Sequence, residues 1–509
     1  MLKLFFSLLL LFSFKVQAQM DFCTQELETF PVQAGGREKP YYVLSNELIK
    51  FITGASKVGE YTSVEAFCKL SLKAFGMPLE LPVMVKVEHV DAKKLLGIPD
   101  GQTSAPVNEL LGKVGLIESE LASLKENNAY KKELTKVSQR LAAYRAIVEG
   151  RAWTVPVLKD GKIVFVALAE YVTEDKINSA QGKGMNPVKF IMNEARDNYV
   201  RINGDDYLLE LSYFKWNLFL WAMLSSILAI GLLVAFKNKT PGVVLTVISI
   251  ILQIAAMTMR VKISGRAPVT NMYETVMFSG FGALIIGGII SLYRKEVAFV
   301  LAGLGYNVLC LMMMKFAHGM LDPNISPLVP VLRDNFWLST HVTTVILSYA
   351  ALALSWLLAN SVLLRSRFGN ISSADYRYQV GLIYTCIKFG VVLLALGVIL
   401  GGIWADYSWG RLWGWDPKET WSLIVLLVYM AILHGKSTSW IPPKRFVPLV
   451  AGAFMSVMMA WFGVNYILAS GLHSYGFSEG GAIFLGTFFA VQILILIVGT
   501  VRMVKAQSL

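Results

Sequence analysis

The sequence predicts an α-helical protein that crosses a membrane about nine times and begins with a soluble, mixed but mostly α-helical domain. Hydrophobic residues make up 55% of the chain, charged residues only 16%, and the mean hydropathy is +0.53. Soluble domains carry about 25% charged residues, and a membrane-spanning helix needs about 17–25 apolar residues. The net charge of +12 does not indicate nucleic-acid binding, because the basic residues cluster in short loops between apolar stretches, as membrane orientation requires.

Residues 1–18 have the three parts of an export signal. Lys3 supplies the positive charge, Leu4 to Phe14 form the apolar part, and Val-Gln-Ala at 16–18 is a small-residue cleavage site. Because the apolar part is short for a membrane span, we expect cleavage rather than a retained anchor. Residues 19–215 then form a domain outside the cytoplasmic membrane.

This outer domain has the patterning of a soluble fold. An amphipathic stretch runs to Ile52, and heptad-spaced apolar residues within 107–149 predict a helical hairpin. Residues 152–170 predict extended structure, in which Asp160-Gly161 marks a hairpin turn.

The four cysteines fall into two pairs. Cys23 and Cys68 lie in the outer domain, where a disulfide can form. Cys310 and Cys386 lie in apolar stretches, where we expect them to pack as small apolar residues. The chain contains no Cys-x-x-Cys-His segment, so we expect no covalent haem attachment of the usual c type.

Nine apolar stretches follow the outer domain, and we number them spans 1 to 9. Their predicted bounds are 216–236, 243–259, 273–293, 297–314, 341–364, 381–403, 419–434, 446–468 and 482–501. We divide this region into span 1 with its linker (216–242) and a module of eight spans (243–509). With the outer domain outside, the C-terminus lies in the cytoplasm; twelve Lys and Arg fall in the predicted inner segments against seven in the outer loops.

A cluster of tryptophans joins spans 6 and 7. Five of the chain's 12 tryptophans lie within Trp404–Trp421. A membrane interface accounts for one or two of them, but not for five. Interleaved glycines allow close approach, so the segment predicts a shelf for a large, flat aromatic ligand, built from Trp409, Trp413 and Trp415.

Two histidines lie on the same predicted outer face as this shelf. His341 opens span 5, and His473 lies in the loop between spans 8 and 9. Two imidazoles can ligate one haem iron from opposite sides, so the pair and the shelf together predict haem binding. The alternative is that each histidine is an ordinary hydrogen-bonded residue of the interface. Basic residues of the outer loops, Arg411 among them, would suit the two haem propionates.

The other polar residues of interest have structural alternatives. Asp416 fits the N-cap of span 7, with Pro417 and Glu419 at its first and third positions. His434 ends span 7 on the inner side, where it either anchors the helix or ligates a second haem. Lys388, at similar depth, either snorkels to the surface or neutralises a propionate. His318 and His89 are predicted to be structural.

The segment Trp409-Gly-Arg-Leu-Trp413-Gly-Trp415-Asp416-Pro-Lys-Glu419 resembles the "WWD" signature of haem-handling proteins in cytochrome c assembly. The wider pattern resembles the CcsA/ResC branch, the system II cytochrome c synthase, over about 243–501. A weaker likeness to the external domain of some bacterial members covers 31–40. The further matching segments are Gly265 to Glu274, Leu321-Asp322-Pro323 to Pro330-Val-Leu, Trp337 to His341 and Gly471 to Gly476.

The resemblance implies a mechanism and partners. Haem b, bound non-covalently, is held at the outer face by His341 and His473 over the WWD loop. An apocytochrome c then docks, and the two thiols of its Cys-x-x-Cys-His segment add to the haem vinyl groups. The family pattern assigns His434 to an inner haem site whose second histidine comes from a CcsB/ResB-like membrane subunit. The chain would thus be the catalytic-site subunit of a cytochrome c synthase (haem lyase) complex.

Two other classes of function stay open from the residues alone. A small-molecule transporter with an aromatic lid needs no iron ligands. A b-haem electron carrier places histidine pairs inside helices, usually in both membrane halves, and the predicted outer pairing of His341 with His473 argues against it.

Overall fold

The computed structural model describes residues 23–76, 80–125, 128–173, 175–176, 179, 187–317, 319–328, 334–369, 371–468 and 481–505. The predicted export signal, His318 and His473 therefore lie outside the described residues. The chain divides into two compact units, Met1–Lys215 and Trp216–Leu509.

The N-terminal unit is mixed, with helices outnumbering short antiparallel strand pairs. Its strands pair as Pro31–Ala34 with Arg37–Pro40, Lys57–Val58 with Tyr61–Thr62, Met84–Lys86 with Ser104–Pro106, and Thr154–Lys159 with Lys162–Ala167. Its helices are Gln25–Thr29, Tyr41–Thr53, Ser63–Ser71, Leu72–Phe75, Val90–Leu95, Val107–Leu111, Val114–Ser123, Ala129–Val148, Leu168–Tyr171 and Pro187–Asn203.

Several predictions for this unit are confirmed. Asp160 and Gly161 have φ of 50° and 74°, which suits the tight turn between the last two strands. Cys23 and Cys68 form a disulfide. His89 is structural, since its Nδ1 accepts a hydrogen bond from the Asp91 amide at 3.2 Å and caps a short helix.

Nine helices in the described part of the chain are long and apolar enough to cross a membrane. Most of them extend beyond the predicted bounds at one end or both, by one to eight residues, because helices continue past the apolar stretch that hydropathy detects. Their bounds are Leu208–Ala235, Thr240–Ser264, Met272–Arg294, Val297–Phe316, Asn335–Phe368, Ser373–Trp409, Pro417–Ser437, Pro443–Leu468 and Gly481–Thr500.

Span 5 is the centre of this bundle. It packs against spans 3, 4, 6, 8 and 9, and its apolar face is largely buried. Glycines along span 6 let it approach closely: a Cβ at Gly390 would meet Leu352 at 2.5 Å, and one at Gly397 would meet Val345 at 2.7 Å. Small residues allow such close approach between membrane helices. This contact brings the end of span 6 against the start of span 5.

Candidate functional site

A cavity lies where the ends of spans 3, 5, 6, 7 and 8 meet. The cavity is partly open on one side, and side chains from these five spans and from the segments that precede them form its walls. Its lining side chains belong to the segments 269–275, 338–349, 398–404, 412–422 and 460–465.

His341 lies on the cavity wall in a π-helical turn, Leu338–Val342, that precedes the α-helical part of span 5. Such turns occur often at functional sites. Its Nδ1 lies 2.9 Å from the Gly397 carbonyl oxygen. Because a carbonyl oxygen only accepts, Nδ1 carries the proton, and the lone pair that can bind a metal is on Nε2.

The room for this imidazole comes from a glycine of span 6. A Cβ at Gly401 would lie 2.6 Å from His341 Cε1, so any larger residue would displace the ring. The Trp404 ring packs edge-on against the imidazole at a centroid distance of 5.6 Å. Span 6 therefore sets the orientation of a histidine side chain that span 5 carries.

The Trp-rich segment is fixed at both ends. Span 6 ends at Trp409, and Gly410 follows with φ of 68°, a left-handed helix end. Asp416 Oδ1 accepts the Glu419 amide at 3.0 Å, and Glu419 Oε2 lies 3.3 Å from the Asp416 amide. The predicted capping box, with Pro417 in the first turn, is confirmed.

The tryptophans of this segment do not all face the cavity. Trp404 and Trp413 line it, whereas Trp409 and Trp415 are absent from its described lining. Trp415 is 71% exposed and contacts Trp413 edge-on at a centroid distance of 6.0 Å. The third tryptophan of the described lining is Trp461 of span 8, whose Nε1 donates to Thr275 Oγ1 at 3.1 Å.

Two basic residues of the segment take different positions. The Arg411 guanidinium lies over Gly414, where a Cβ would overlap it, and outside the described cavity lining. Lys418 lines the cavity, and its Nζ lies 3.4 Å from Asn465 Oδ1. The sequence predicted Arg411 as a basic residue near the ligand, but the basic residue that lines the described cavity is Lys418.

A buried ion pair stabilises the part of the cavity wall that lies at the start of span 3. Arg260 Nε donates to Glu274 Oε1 at 2.7 Å, and both side chains are almost fully buried. The same guanidinium donates to the Pro323 carbonyl at 2.9 Å, and Glu274 Oε2 accepts the Thr270 amide at 2.7 Å. Arg260 thus links the segment around 265–274 to the segment 321–323. Residues of the first segment form part of the cavity wall.

A second π-helical segment, Met459–Leu468, completes the wall from span 8. Trp461 and Asn465 line the cavity from it, and Asn465 Nδ2 donates to the Trp461 carbonyl at 2.6 Å. No sequence pattern marks this segment, because its apolar composition is that of an ordinary span. It ends five residues before His473, which lies outside the described residues.

His434 lies far from this cavity, at the other end of span 7. Its side chain is exposed, and its Nδ1 lies 2.8 Å from the Met430 carbonyl, so its Nε2 carries the lone pair. Lys388 is also exposed, with Nζ 5.2 Å from the Tyr384 ring centroid.

Fold and site together define a multi-pass α-helical membrane protein with an aromatic, imidazole-bearing cavity at one end of its bundle. A family model described as Cytochrome C assembly protein matches residues 269–473. That range starts at the first cavity-lining residue, Val269, and ends at His473.

Individual proteins with similar sequences show which family the chain belongs to. Cytochrome c biogenesis protein CcsA of Prochlorococcus marinus (strain MIT 9312) is 35% identical over 285 residues, covering 50% of this chain and 91% of that protein. The CcsA protein of Guillardia theta is 34% identical over 239 residues, covering 42% and 78%. Protein NrfI of Wolinella succinogenes is 34% identical over 225 residues, covering 43% of this chain and 24% of NrfI. The chain belongs to the CcsA family of cytochrome c biogenesis proteins and acts in cytochrome c biogenesis.

Proposed function

We propose that the cavity holds haem b as a non-covalently bound substrate and presents it to apocytochrome c. The observation that carries this proposal is His341. Its Nδ1–H is held by the Gly397 carbonyl, so Nε2 is the nitrogen that can bind iron, on the wall of an aromatic cavity. A histidine that binds a metal through one nitrogen usually donates the other N–H in this way.

The other residues present fit a porphyrin. Trp404, Trp413 and Trp461 offer aromatic surface for a flat ring system, and aliphatic side chains of span 5 line the same space. We assign the second axial position to His473 on its sequence position alone. The shelf role of Trp409 and Trp415 stays a proposal, in which they cover the ligand from outside the described lining.

The chain's own cysteines take no part in the attachment. Cys23 and Cys68 are joined to each other, and Cys310 and Cys386 are buried away from the described cavity lining. In the proposed reaction each thiol of the client's Cys-x-x-Cys-His segment adds across one haem vinyl group. Sulfur bonds to one vinyl carbon and the proton goes to the other, so the chain supplies position and orientation, as the catalytic-site subunit of a cytochrome c synthase complex.

We also propose the orientation and domain division given by the sequence. Residues 1–18 act as a signal peptide, 19–215 form the outer domain, 216–242 span 1 and its linker, and 243–509 the haem-handling module. The Cys23–Cys68 disulfide supports an oxidising, outer location for the N-terminal unit. The C-terminus then lies in the cytoplasm of a bacterial cell.

We propose a membrane partner of the ResB/CcsB type for an inner haem site at His434. The side chain is exposed on the described bundle and its Nε2 lone pair is the one that can bind iron, which suits completion by another subunit. Expression with and without such a subunit, in a host lacking its own assembly proteins, tests this. Full maturation of a reporter apocytochrome c by this chain alone would refute the required partner.

The haem assignment is tested by His341→Gly and His473→Gly. Each variant should lose haem during purification and change its absorption spectrum, and added imidazole should restore part of both by entering the vacated position. His89→Ala in the N-terminal unit and Lys262→Met at the exposed end of span 2 are controls. Unchanged haem content and spectrum in both glycine variants would refute the assignment. Absence of haem from the wild-type protein would favour the transporter.

A further inference from the structure

Two hydrogen-bond donors of the cavity lining have no partner among the described residues. The Nε1–H groups of Trp404 and Trp413 are buried, and neither has a hydrogen-bond partner among the described residues. Both indoles belong to the cavity lining. An unpaired buried donor is costly, so each of these groups requires an explanation, and a bound ligand is one.

Lys418 adds a cation to the same lining. The one hydrogen bond of its ammonium group within the described part of the chain is the 3.4 Å contact with the neutral Asn465 amide oxygen, and this ammonium forms no ion pair there. A charge held in a low-dielectric wall is costly unless it is paired.

The acidic residues beside Lys418 are already engaged. Glu419 Oε2 accepts the Gly414 amide at 2.6 Å and the Asp416 amide at 3.3 Å. Asp416, which attracts Lys418 electrostatically, uses Oδ1 for the amides of Lys418 and Glu419 at 2.9 Å and 3.0 Å. These carboxylates cap the first turn of span 7, and their described hydrogen bonds are made to backbone amides.

We propose that Lys418 binds a carboxylate carried on the edge of the cavity's otherwise apolar ligand, with the two indole N–H groups as further donors to that edge. Given the proposed function, on which this inference rests, the carboxylate is a haem propionate. In haem the two propionates lie on the opposite half of the ring from the two vinyl groups. Anchoring the propionate edge at Lys418 therefore directs the vinyl edge away from it, and Lys418 is a positioning residue for the attachment reaction.

A binding comparison of haem with haem dimethyl ester tests this in the detergent-solubilised full chain, monitored in the Soret region. The ester keeps the iron, the ring and the vinyl groups but carries no carboxylate. A hydrogen bond between charged groups contributes enough that the wild type should prefer haem roughly 10- to 100-fold. Lys418→Met should lose that preference by weakening haem binding alone, and Lys418→Arg should keep most of it.

Lys262→Met is the matched control, since it removes the same charge from an exposed position at the end of span 2. It should keep the wild-type preference. An equal affinity of the wild type for both ligands, or an unchanged preference in Lys418→Met, would overturn the role of Lys418 while haem binding stands. Binding of neither ligand by the wild type would overturn the proposed function, and this inference with it.

Discussion

Replacing Gly401 by alanine should impair the proposed ligation of haem iron by His341, although the histidine itself is unchanged. The new Cβ would lie 2.6 Å from His341 Cε1 and 3.2 Å from Nδ1, too close for either atom to stay in place. The ring must therefore move, and its 2.9 Å hydrogen bond to the Gly397 carbonyl is lost or stretched. Overpacking costs about 1–3 kcal/mol and a lost hydrogen bond about 1 kcal/mol, so ligation in the proper geometry should weaken by about 2–4 kcal/mol.

That penalty corresponds to a loss of haem retention of roughly 30-fold or more. The assay is the ratio of Soret absorbance to protein in the purified full chain, together with the position of the Soret band. Gly381→Ala is the matched control, because it lies in the same helix and a Cβ there meets no atom within 4 Å. In a His341→Gly background, Gly401→Ala should have little further effect, since its target is gone. Normal haem content and an unchanged band in folded Gly401→Ala protein would refute the reasoning.

Three further outcomes are expected. Trp413→Phe should be mild in cytochrome c maturation assays and Trp413→Ala severe, because a good ring contact adds about 0.5–1.5 kcal/mol beyond its buried area; intact maturation in the alanine variant would exclude the shelf. Cys68→Ser should destabilise the N-terminal unit by about 4 kcal/mol in urea unfolding, since the bridge to Cys23 closes a separation of 45 residues; reductant should bring the wild type to the same value. Arg260→Met should cost about 3–5 kcal/mol of bundle stability by leaving Glu274 buried and unpaired; if adding Glu274→Met recovers nothing, the ion pair is not the cause.

Local sequence rules predicted the parts of the molecule that neighbouring residues determine. The capping box at Asp416 and Glu419 and the Asp160-Gly161 turn depend on residues a few positions apart, and both are present. The number of spans follows from hydropathy alone. His341 was identified because a histidine at the mouth of an apolar stretch is conspicuous among only five in the chain.

Features that depend on packing between distant segments were not predictable in this way. The two π-helical segments have no sequence pattern of their own, since each inserts extra residues into a turn of ordinary apolar composition. Lys418 and Trp461 face the cavity because of the rotation of spans 7 and 8 about their helix axes. A single sequence does not determine that rotation. The glycine spacing of span 6 is a signal that could have located its contact face, through Gly390, Gly397 and Gly401.

The hydrogen bond from His341 to the Gly397 carbonyl affects how long a bound haem would be retained in the proposed role. A carboxylate partner would draw the Nδ1 proton more strongly and give the imidazole partial anionic character, which strengthens its bond to iron. The neutral Gly397 carbonyl polarises that N–H bond less. In the proposed role, His341 is therefore a ligand of moderate donor strength, suited to a haem that must be surrendered to another protein's histidine.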